Sequence, residues 1–469
     1  MHSIIISTLA EYQTEFWVPV GKALEASGHA VTFVSCDTRS TRMLEAAGLD
    51  VLEATVSARA AALGAADPVS VCAAHGISDP APLIAHERIA FAERSTATAL
   101  RKLAGALIVG DAAIERARGK GQPVLVQELG GFASVLGLHH AALSAKIDTI
   151  MIEPSFFKGR MLFVANSLNA PKIAAKGNIS PSADLAAYID NALASGTVVI
   201  PAKDRHLYAG PGSKLLKPHN IRRFVEKARD KYILGAEQEF GAIGLQLRSH
   251  LKMLAGAAKM RGHYSDFREL GRFLYFPLHV PGDIALTLRS PEFCDQIALL
   301  DYLCRVAPVD LAIAIKEHPA MIGAVPSKAL IALKTQYDRF AIIRPDANNY
   351  DVLRAAECVV TINSKSGAEA GLLGKQPIVL GDAFYREAPF ARTIDHISEL
   401  GPAIAQQIST PRAAISADET QSFFATLWER SLPGELYAPN QANIAAFTDS
   451  LLAALDRRNS EDEKVRLSA

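Results

Sequence analysis

Apolar and polar positions along this chain fall into two recurring patterns, short β-branched runs and longer stretches of helical period. Ser3 to Thr8 is a strand candidate, Trp17 to Ala26 an apolar-periodic helix stopped by Gly28, and Ala30 to Ser35 a second strand. This is the βαβ opening of a parallel sheet. Asp37 follows the second strand, but no G-x-G-x-x-G follows the first, so Asp37 reads as a turn residue rather than a ribose ligand. Residues 52 to 118 are Ala-rich and mostly helical in pattern, with Leu107 to Gly110 a strand candidate and His86-Glu87-Arg88 on an exposed polar face or at a substrate contact. Pro123 to Val126 is a strand ending in Gln127-Glu128-Leu129-Gly130-Gly131, and the next helix carries His139 and His140. Ile147 to Ile152 is a further strand, ending in Glu153-Pro154-Ser155-Phe156-Phe157-Lys158-Gly159-Arg160.

From Gly271 the alternation is cleaner. Arg272 to Phe276 is a strand, Pro277 to Asp283 a loop, and Asp295 to Cys304 a helix. Leu311 to Ile315 leads into Lys316-Glu317-His318-Pro319, and Phe340 to Ile343 into Arg344-Pro345-Asp346. Cys358 to Ile362 is a buried-strand run, Asn363 to Gly367 a small polar loop, Ala368 to Leu373 a short helix, and Pro377 to Leu380 the next strand. The pattern predicts an α/β fold with a doubly wound sheet in this half.

At 469 residues the chain exceeds one core and predicts two or three domains. Hydrophobic residues make up 49%, and 49 Lys and Arg balance 49 Asp and Glu, which excludes a polyelectrolyte binder or a disordered chain. No apolar run has the length of a membrane span, and the N-terminus lacks a signal-peptide pattern. The five scattered cysteines lack zinc spacing and are expected to be reduced, which places the chain in the cytoplasm. One stretch departs from neutrality. Lys203, Arg205, Lys214, Lys217, Arg222, Arg223, Lys227, Arg229 and Lys231 stand against Asp204, Glu226 and Asp230, as an insertion or interdomain arm. A solvated face, a contact with an acidic glycan and a contact with an anionic membrane surface stay open for it. Without interleaved aromatics it does not read as a nucleic-acid groove.

The candidate chemistry lies at strand ends. Asp283, His318 and Ser364 to Gly367 all follow strands, so they share one edge of a sheet. At the last of these, a helix start offers unpartnered amides to a phosphate. Ser364 and Ser366 add hydroxyls, Gly367 lets the backbone approach closely, Lys365 adds charge, and Glu369 reaches a ribose hydroxyl; alternatively the serines cap the helix. Glu128 and Glu153 end two strands and suit general acid/base work, or else each caps a helix or pairs with Lys158 or Arg160.

Four phrases, F-P-L-H-V-P-G-D, K-E-H-P, R-P-D and T-I-N-S-K-S-G-A-E-A-G-L-L-G-K-Q-P-I-V-L-G-D-A-F-Y, occur in that order and resemble the bacterial capsule-polysaccharide biosynthesis family. The resemblance is densest from Arg272 to Tyr385 and weaker from Gln127 to Ala170. It implies a GT-B architecture, two Rossmann-like domains facing across a cleft with C-terminal helices crossing back. It also implies a glycosyltransferase using a nucleotide sugar, CMP-Kdo above all, with no separate cofactor, and a glycan or lipid-linked acceptor. By resemblance His318, Pro319, Ser364, Ser366 and Glu369 hold the nucleotide, within a candidate set that adds Asp283, Lys316, Lys365 and Gly367. His279 stands where the family more often has Gln. No Asp-x-Asp element stands out, so no metal is implied. The expected domains are 1–200, a basic linker 201–268, a nucleotide-sugar domain 269–412 and C-terminal helices 413–469. A sugar-nucleotide 2-epimerase and a non-catalytic nucleotide-binding component of capsule assembly are the alternatives. The expected site is cytoplasmic, with the basic segment as a possible peripheral contact to the inner membrane.

Overall fold

The computed structural model describes residues 1–173, 179–196, 218–240, 243–409 and 416–468. Among these residues two seven-stranded sheets carry the chain. The first begins with β1 (His2–Thr8), β2 (Ala30–Ser35), β3 (Asp50–Glu53), β4 (Gln122–Glu128), β5 (Asp148–Pro154) and β6 (Arg160–Ala165). The second consists of β7 (Tyr264–Ser265), β8 (Phe273–Pro277), β9 (Ala312–Lys316), β10 (Phe340–Ile343), β11 (Cys358–Thr361), β12 (Pro377–Val379) and β13 (Arg392–Thr393). A last strand, β14 (Leu432–Pro433), returns to the first sheet.

The first sheet runs β14-β6-β5-β4-β1-β2-β3, parallel from β3 to β5 and antiparallel at β6 and β14. The second runs β13-β12-β11-β8-β9-β10-β7 and is parallel throughout. In each, the chain winds outward from a central strand, β1 or β8, then crosses to that strand's other side, β4 or β11. Two switch points result, β1/β4 and β8/β11, and crevices for ligands open at the carboxyl ends of such strands. These are two Rossmann-like domains in a GT-B-like arrangement, as the sequence predicted.

The runs that read as strands are buried on both faces. Ile4 and Ile6 pack with Phe16, Trp17 and Val20 on one side of the first sheet, and Ile5 and Val34 with Leu103 and Leu107 on the other. This is why parallel strands read as continuous apolar stretches rather than alternating ones. Leu107 to Gly110 is not a strand: it lies inside the helix Thr96–Arg118. From Leu103 to Gly110 that helix is buried at every position but Ile108, which is half-buried, so its middle turns show no polar period and four apolar residues mimic a strand. It crosses the helix Ala133–Ser144 closely enough that a Cβ on Gly110 would stand 2.6 Å from the Ala141 Cβ.

The C-terminal segment ties the halves together. The helix Ala417–Arg430 places Phe423 and Phe424 in one cluster with Phe156, Phe157, Tyr385 and Phe390. The helix Gln441–Ser468 then sets Phe447 against Phe16 and Trp17, with ring centroids 5.0 and 5.6 Å apart. Burying each such ring contributes roughly 1.5–3 kcal/mol, so the tail is held firmly on the N-terminal domain. Of the basic segment, Lys203, Arg205, Lys214 and Lys217 lie outside the described residues. Lys227, Arg229 and Lys231 sit on the helix Pro218–Tyr232, whose Asp230 is buried against Arg39 at 2.7 Å. Among the described residues no helix is long and apolar enough to cross a membrane.

Candidate functional site

On the N-terminal edge, β4 delivers Glu128 into a pocket of about 340 Å³. The Glu128 carboxylate accepts from the Tyr437 hydroxyl at 2.6 Å and from Gln13 Nε2 at 3.2 Å, both at Oε2. Gln13 is itself fixed, because its Oε1 accepts from the Leu9 amide at 2.7 Å where β1 ends. Tyr437 comes from the returning tail, at φ 62, with its ring edge-on to Tyr12 and Phe16. Burial, and then the adjacent Glu128 charge, push the Tyr437 hydroxyl well above the usual phenol range, so it stays a donor. Gly130 and Gly131 line the same pocket. A Cβ on Gly131 would meet the His86 ring at 2.6 Å, so glycine here makes room for that histidine.

His86 and Glu87 are not on an exposed face: they are 5% and 0% exposed. Glu87 accepts from the Ala133 amide at 3.1 Å, which caps the following helix, and from Lys102 at 3.1 Å. His86 Nδ1 lies 2.8 Å from Thr287 Oγ1 of the C-terminal half. Thr287 donates to the Asp283 carbonyl at 3.1 Å, so its oxygen accepts from Nδ1–H and leaves Nε2 as the ring's acceptor. That Nε2 is buried without a hydrogen-bond partner. Burial pushes the His86 pKa down to about 4, against the pull of Asp283.

Glu153, the second acid expected in the cleft, is committed elsewhere. Arg289 grips it with two bonds of 3.0 and 2.8 Å and also donates to the carbonyls of Leu168 and Asn169. The pair joins the halves, with Glu153 16% and Arg289 9% exposed, so both oxygens of Glu153 are engaged by Arg289 in this structure. Its cation is Arg289, 136 residues away, and neither Lys158 nor Arg160.

On the C-terminal edge, Asp283, His318 and Ser364 come to neighbouring strand ends as predicted, but many side chains face inward. Asp283 caps a helical turn by accepting from the Ala285 amide at 2.9 Å. Ser364 caps the helix Lys365–Leu372 by accepting from the Ser366 amide at 3.2 Å. Asn349 donates to Ser366 Oγ at 3.0 Å and to Glu369, and accepts from Tyr275 at 2.8 Å. Glu369 is therefore not at a ribose-accessible surface: it is 4% exposed beneath the loop, its pKa raised by burial. Lys316 donates to the Ala347 carbonyl at 2.7 Å, with its pKa pushed down to about 8 by burial. Lys365 reaches across to the Ser155 carbonyl at 2.9 Å. Gly367 admits the Tyr385 ring, which a Cβ would strike, so packing alone requires glycine there.

His318 remains half-buried at the turn that Pro319 begins. It stands near His279, whose pKa burial pushes down to about 4, with Asp283 opposing and His318 reinforcing the shift. Two buried polar atoms near this edge, His279 Nε2 and Asn363 Oδ1, have no hydrogen-bond partner. Glu317 points away from the cleft, accepting from Tyr264 at 2.8 Å and from the Gly323 amide at 2.9 Å. Sequence reasoning missed Gln13, Tyr437, Asn349 and Arg289. The N-N doublet at 348–349 is a helix-start signal, and Asn348 does cap that helix; nothing local marks the other three.

Residues 223–392 match the family described as capsule polysaccharide biosynthesis protein. Protein FixF of Sinorhizobium fredii is 31% identical over 182 residues, 38% of this chain and 42% of that protein. The match thus spans less than half the length of that curated relative. Among solved structures, a beta Kdo 2,7 transferase, KpsC of Thermosulfurimonas dismutans, aligns at 16% identity with TM-score 0.36, over 73% of this chain and 89% of that one. UDP-GlcNAc 2-epimerase of Methanocaldococcus jannaschii aligns at 12% identity with TM-score 0.28, over 91% and 99%.

Proposed function

We propose that this chain, with capsule polysaccharide biosynthesis sequence over residues 223–392, is a nucleotide-sugar-dependent glycosyltransferase of surface-glycan assembly. Its donor is CMP-Kdo and its acceptor a growing glycan or lipid-linked primer. The observation that carries this reading is one pocket with walls from both halves. Glu128, Gly130 and Gly131 line it from one side and Gly282 and Ile284 from the other. The donor phosphate sits at the β8/β11 switch point, where His318 supplies a hydrogen-bond donor and the positive end of the helix Lys365–Leu372 favours the anion. Asn349, Ser366, Glu369 and Lys316 hold that loop in shape from beneath.

In the transfer step an acceptor hydroxyl oxygen bonds to the anomeric carbon. The bond from that carbon to the phosphate oxygen breaks, and the electron pair leaves with CMP. Glu128 takes the hydroxyl proton, held in place by Gln13 and Tyr437. A peripheral membrane contact is proposed at the end of the helix Pro218–Tyr232. There Arg229 and Lys231 stand beside Tyr232, Ile233 and Leu234, which are 53–75% exposed. The test is incubation with CMP-Kdo, and separately with UDP-GlcNAc, in the presence of a glycan acceptor. Release of CMP with extension of the acceptor supports the reading. An epimerised sugar nucleotide with no transfer overturns it in favour of an isomerase.

A further inference from the structure

One wall of the pocket around Glu128 comes from outside the N-terminal sheet. After the helix Pro218–Tyr232 the chain runs without regular structure to Phe240, which lines the pocket together with Phe132, Gly130 and Gly131. Its path follows the carboxyl edge of that sheet. Just after β2, the Thr38 amide donates to the Glu237 carbonyl at 3.0 Å, and the Glu237 amide donates to Thr38 Oγ1 at 3.0 Å. Just after β3, the Ser57 amide donates to the Glu237 carboxylate at 2.8 Å, and Arg59 donates to both oxygens of Glu239. The Arg59 and Glu239 side chains are 3% and 4% exposed. Beyond Phe240, Gln246 Nε2 donates back to its carbonyl at 3.0 Å. Phe240 is thereby held by the chain on both sides of it. Its ring meets Phe132 at 5.0 Å and 69°, and Phe91 packs against both.

A desolvated ion pair contributes little net stability, because taking two charges out of water offsets most of their attraction. What the pair supplies is geometry. Arg59 keeps both of its bonds only while Glu239 stands in one place, and the next residue is Phe240. We infer that Phe240 is a specificity-determining residue for the acceptor. With Phe132 it forms an apolar corner that receives the C–H face of the acceptor's sugar ring, and the Arg59–Glu239 pair is the positioning device that sets this corner. The inference rests on the transferase reading only in calling the bound sugar an acceptor. A pyranose carries the two surfaces that this pocket can meet, C–H bonds for the phenyl rings and hydroxyls for the Glu128 carboxylate. A flat ring suits the first contact better than a branched aliphatic chain, which offers area without a plane.

The test uses the full chain and saturation-transfer NMR, without donor, on methyl β-glucoside, methyl β-galactoside and methyl β-N-acetylglucosaminide. The parent should bind at least one of them, with saturation of aromatic protons reaching the C–H protons of the sugar ring. For that glycoside Phe240→Leu should weaken binding at least about fivefold, while Phe240→Trp stays within about twofold of the parent. Arg59→Met combined with Glu239→Met removes both charges together, so neither is left buried and unpaired. That double variant keeps Phe240 yet should weaken binding at least about threefold, with an unfolding midpoint close to the parent's. Glu239→Asp keeps the charge but shortens its reach, and should weaken binding in the same direction. Equal binding by the parent and Phe240→Leu overturns the proposal, and so does an equal loss in Phe240→Leu and Phe240→Trp. Absence of binding by every glycoside overturns it as well. Undiminished binding by the double variant and by Glu239→Asp overturns the positioning role of the pair. If binding follows these variants while no CMP is released from CMP-Kdo with any acceptor, the transferase reading falls and the sugar-binding corner stands.

Discussion

Glu128 ends a strand and Glu369 stands on the helix that follows one, yet the first lines a pocket and the second lies 4% exposed beneath its own loop. The same contrast runs through the two edges that face the cleft. On the N-terminal edge the side chains that shape the pocket converge from positions 13, 86, 128 and 437. On the C-terminal edge the compact phrase from Asn363 to Glu369 turns largely inward. Ser364 caps its own helix, and Ser366 and Glu369 are held by Asn349. A dense local motif here marks a loop whose shape must be fixed, and its side chains do most of that fixing. The polar groups presented to a ligand are fewer, and several come from sparse positions elsewhere in the chain.

That contrast can be broken most forcefully at the ion pair that separates Glu153 from Glu128. Arg289→Met leaves Glu153 largely buried and uncompensated at the interface between the halves. Stability should drop by about 3–5 kcal/mol, read from denaturant unfolding. A loss under about 1 kcal/mol would mean that Glu153 finds water or another partner, and would return it to the list of candidate acids.

Acid provides the next largest effect. His86, His139 and His279 are each buried with a pKa pushed down to about 4 from the ordinary 6.5. Between those values the unfolded chain binds more protons than the folded one. Stability therefore falls as pH drops from about 6.5 to 4, and is unaffected by these groups above that window. His279→Gln removes one of the three titrations. It should recover up to roughly 3 kcal/mol at pH 4 relative to its effect at pH 7.5, by chemical denaturation at both pH values. An identical pH dependence in variant and parent would place His279 outside the dry core.

Smaller effects separate ligand contact from scaffold on the C-terminal edge. His318→Ala should weaken CMP binding by roughly 1.5–3 kcal/mol in calorimetry, the worth of a charge-assisted hydrogen bond. Unchanged affinity would remove His318 from the donor site. Ser364→Ala should cost about 1 kcal/mol of stability, as the loss of a helix cap, with CMP affinity intact. The reverse result, normal melting with affinity lost, would show that the hydroxyl serves the donor instead.

Much of the architecture was legible because strand, turn and helix each leave a local pattern. The β-branched runs from Ile4 to Ile6 and Cys358 to Val360 became strands, and Asp37 became a helix cap that accepts from the Ser40 amide. Placing Glu128 at the end of a strand followed only from Pro123 to Val126 and the glycines beyond it. What holds Glu128 was not legible, because Tyr437 lies 309 residues away and meets it only once the tail has crossed back. Arg289 and Glu153 are hidden for the same reason. Burial of His86 and Glu87 escaped the sequence because a polar triplet on a helix looks solvated until its partners, Thr287 and the Ala133 amide, are known.

The central claim is that Glu128, not Glu153, removes the acceptor proton in a pocket shared by both halves. It is tested most directly by measuring CMP release from CMP-Kdo with acceptor for the parent chain, Glu128→Gln and Glu153→Gln, alongside donor affinity by calorimetry. The account predicts that Glu128→Gln lowers turnover at least about a hundredfold with donor affinity preserved, while any loss in Glu153→Gln follows its reduced stability. Near-parental turnover in Glu128→Gln would contradict it.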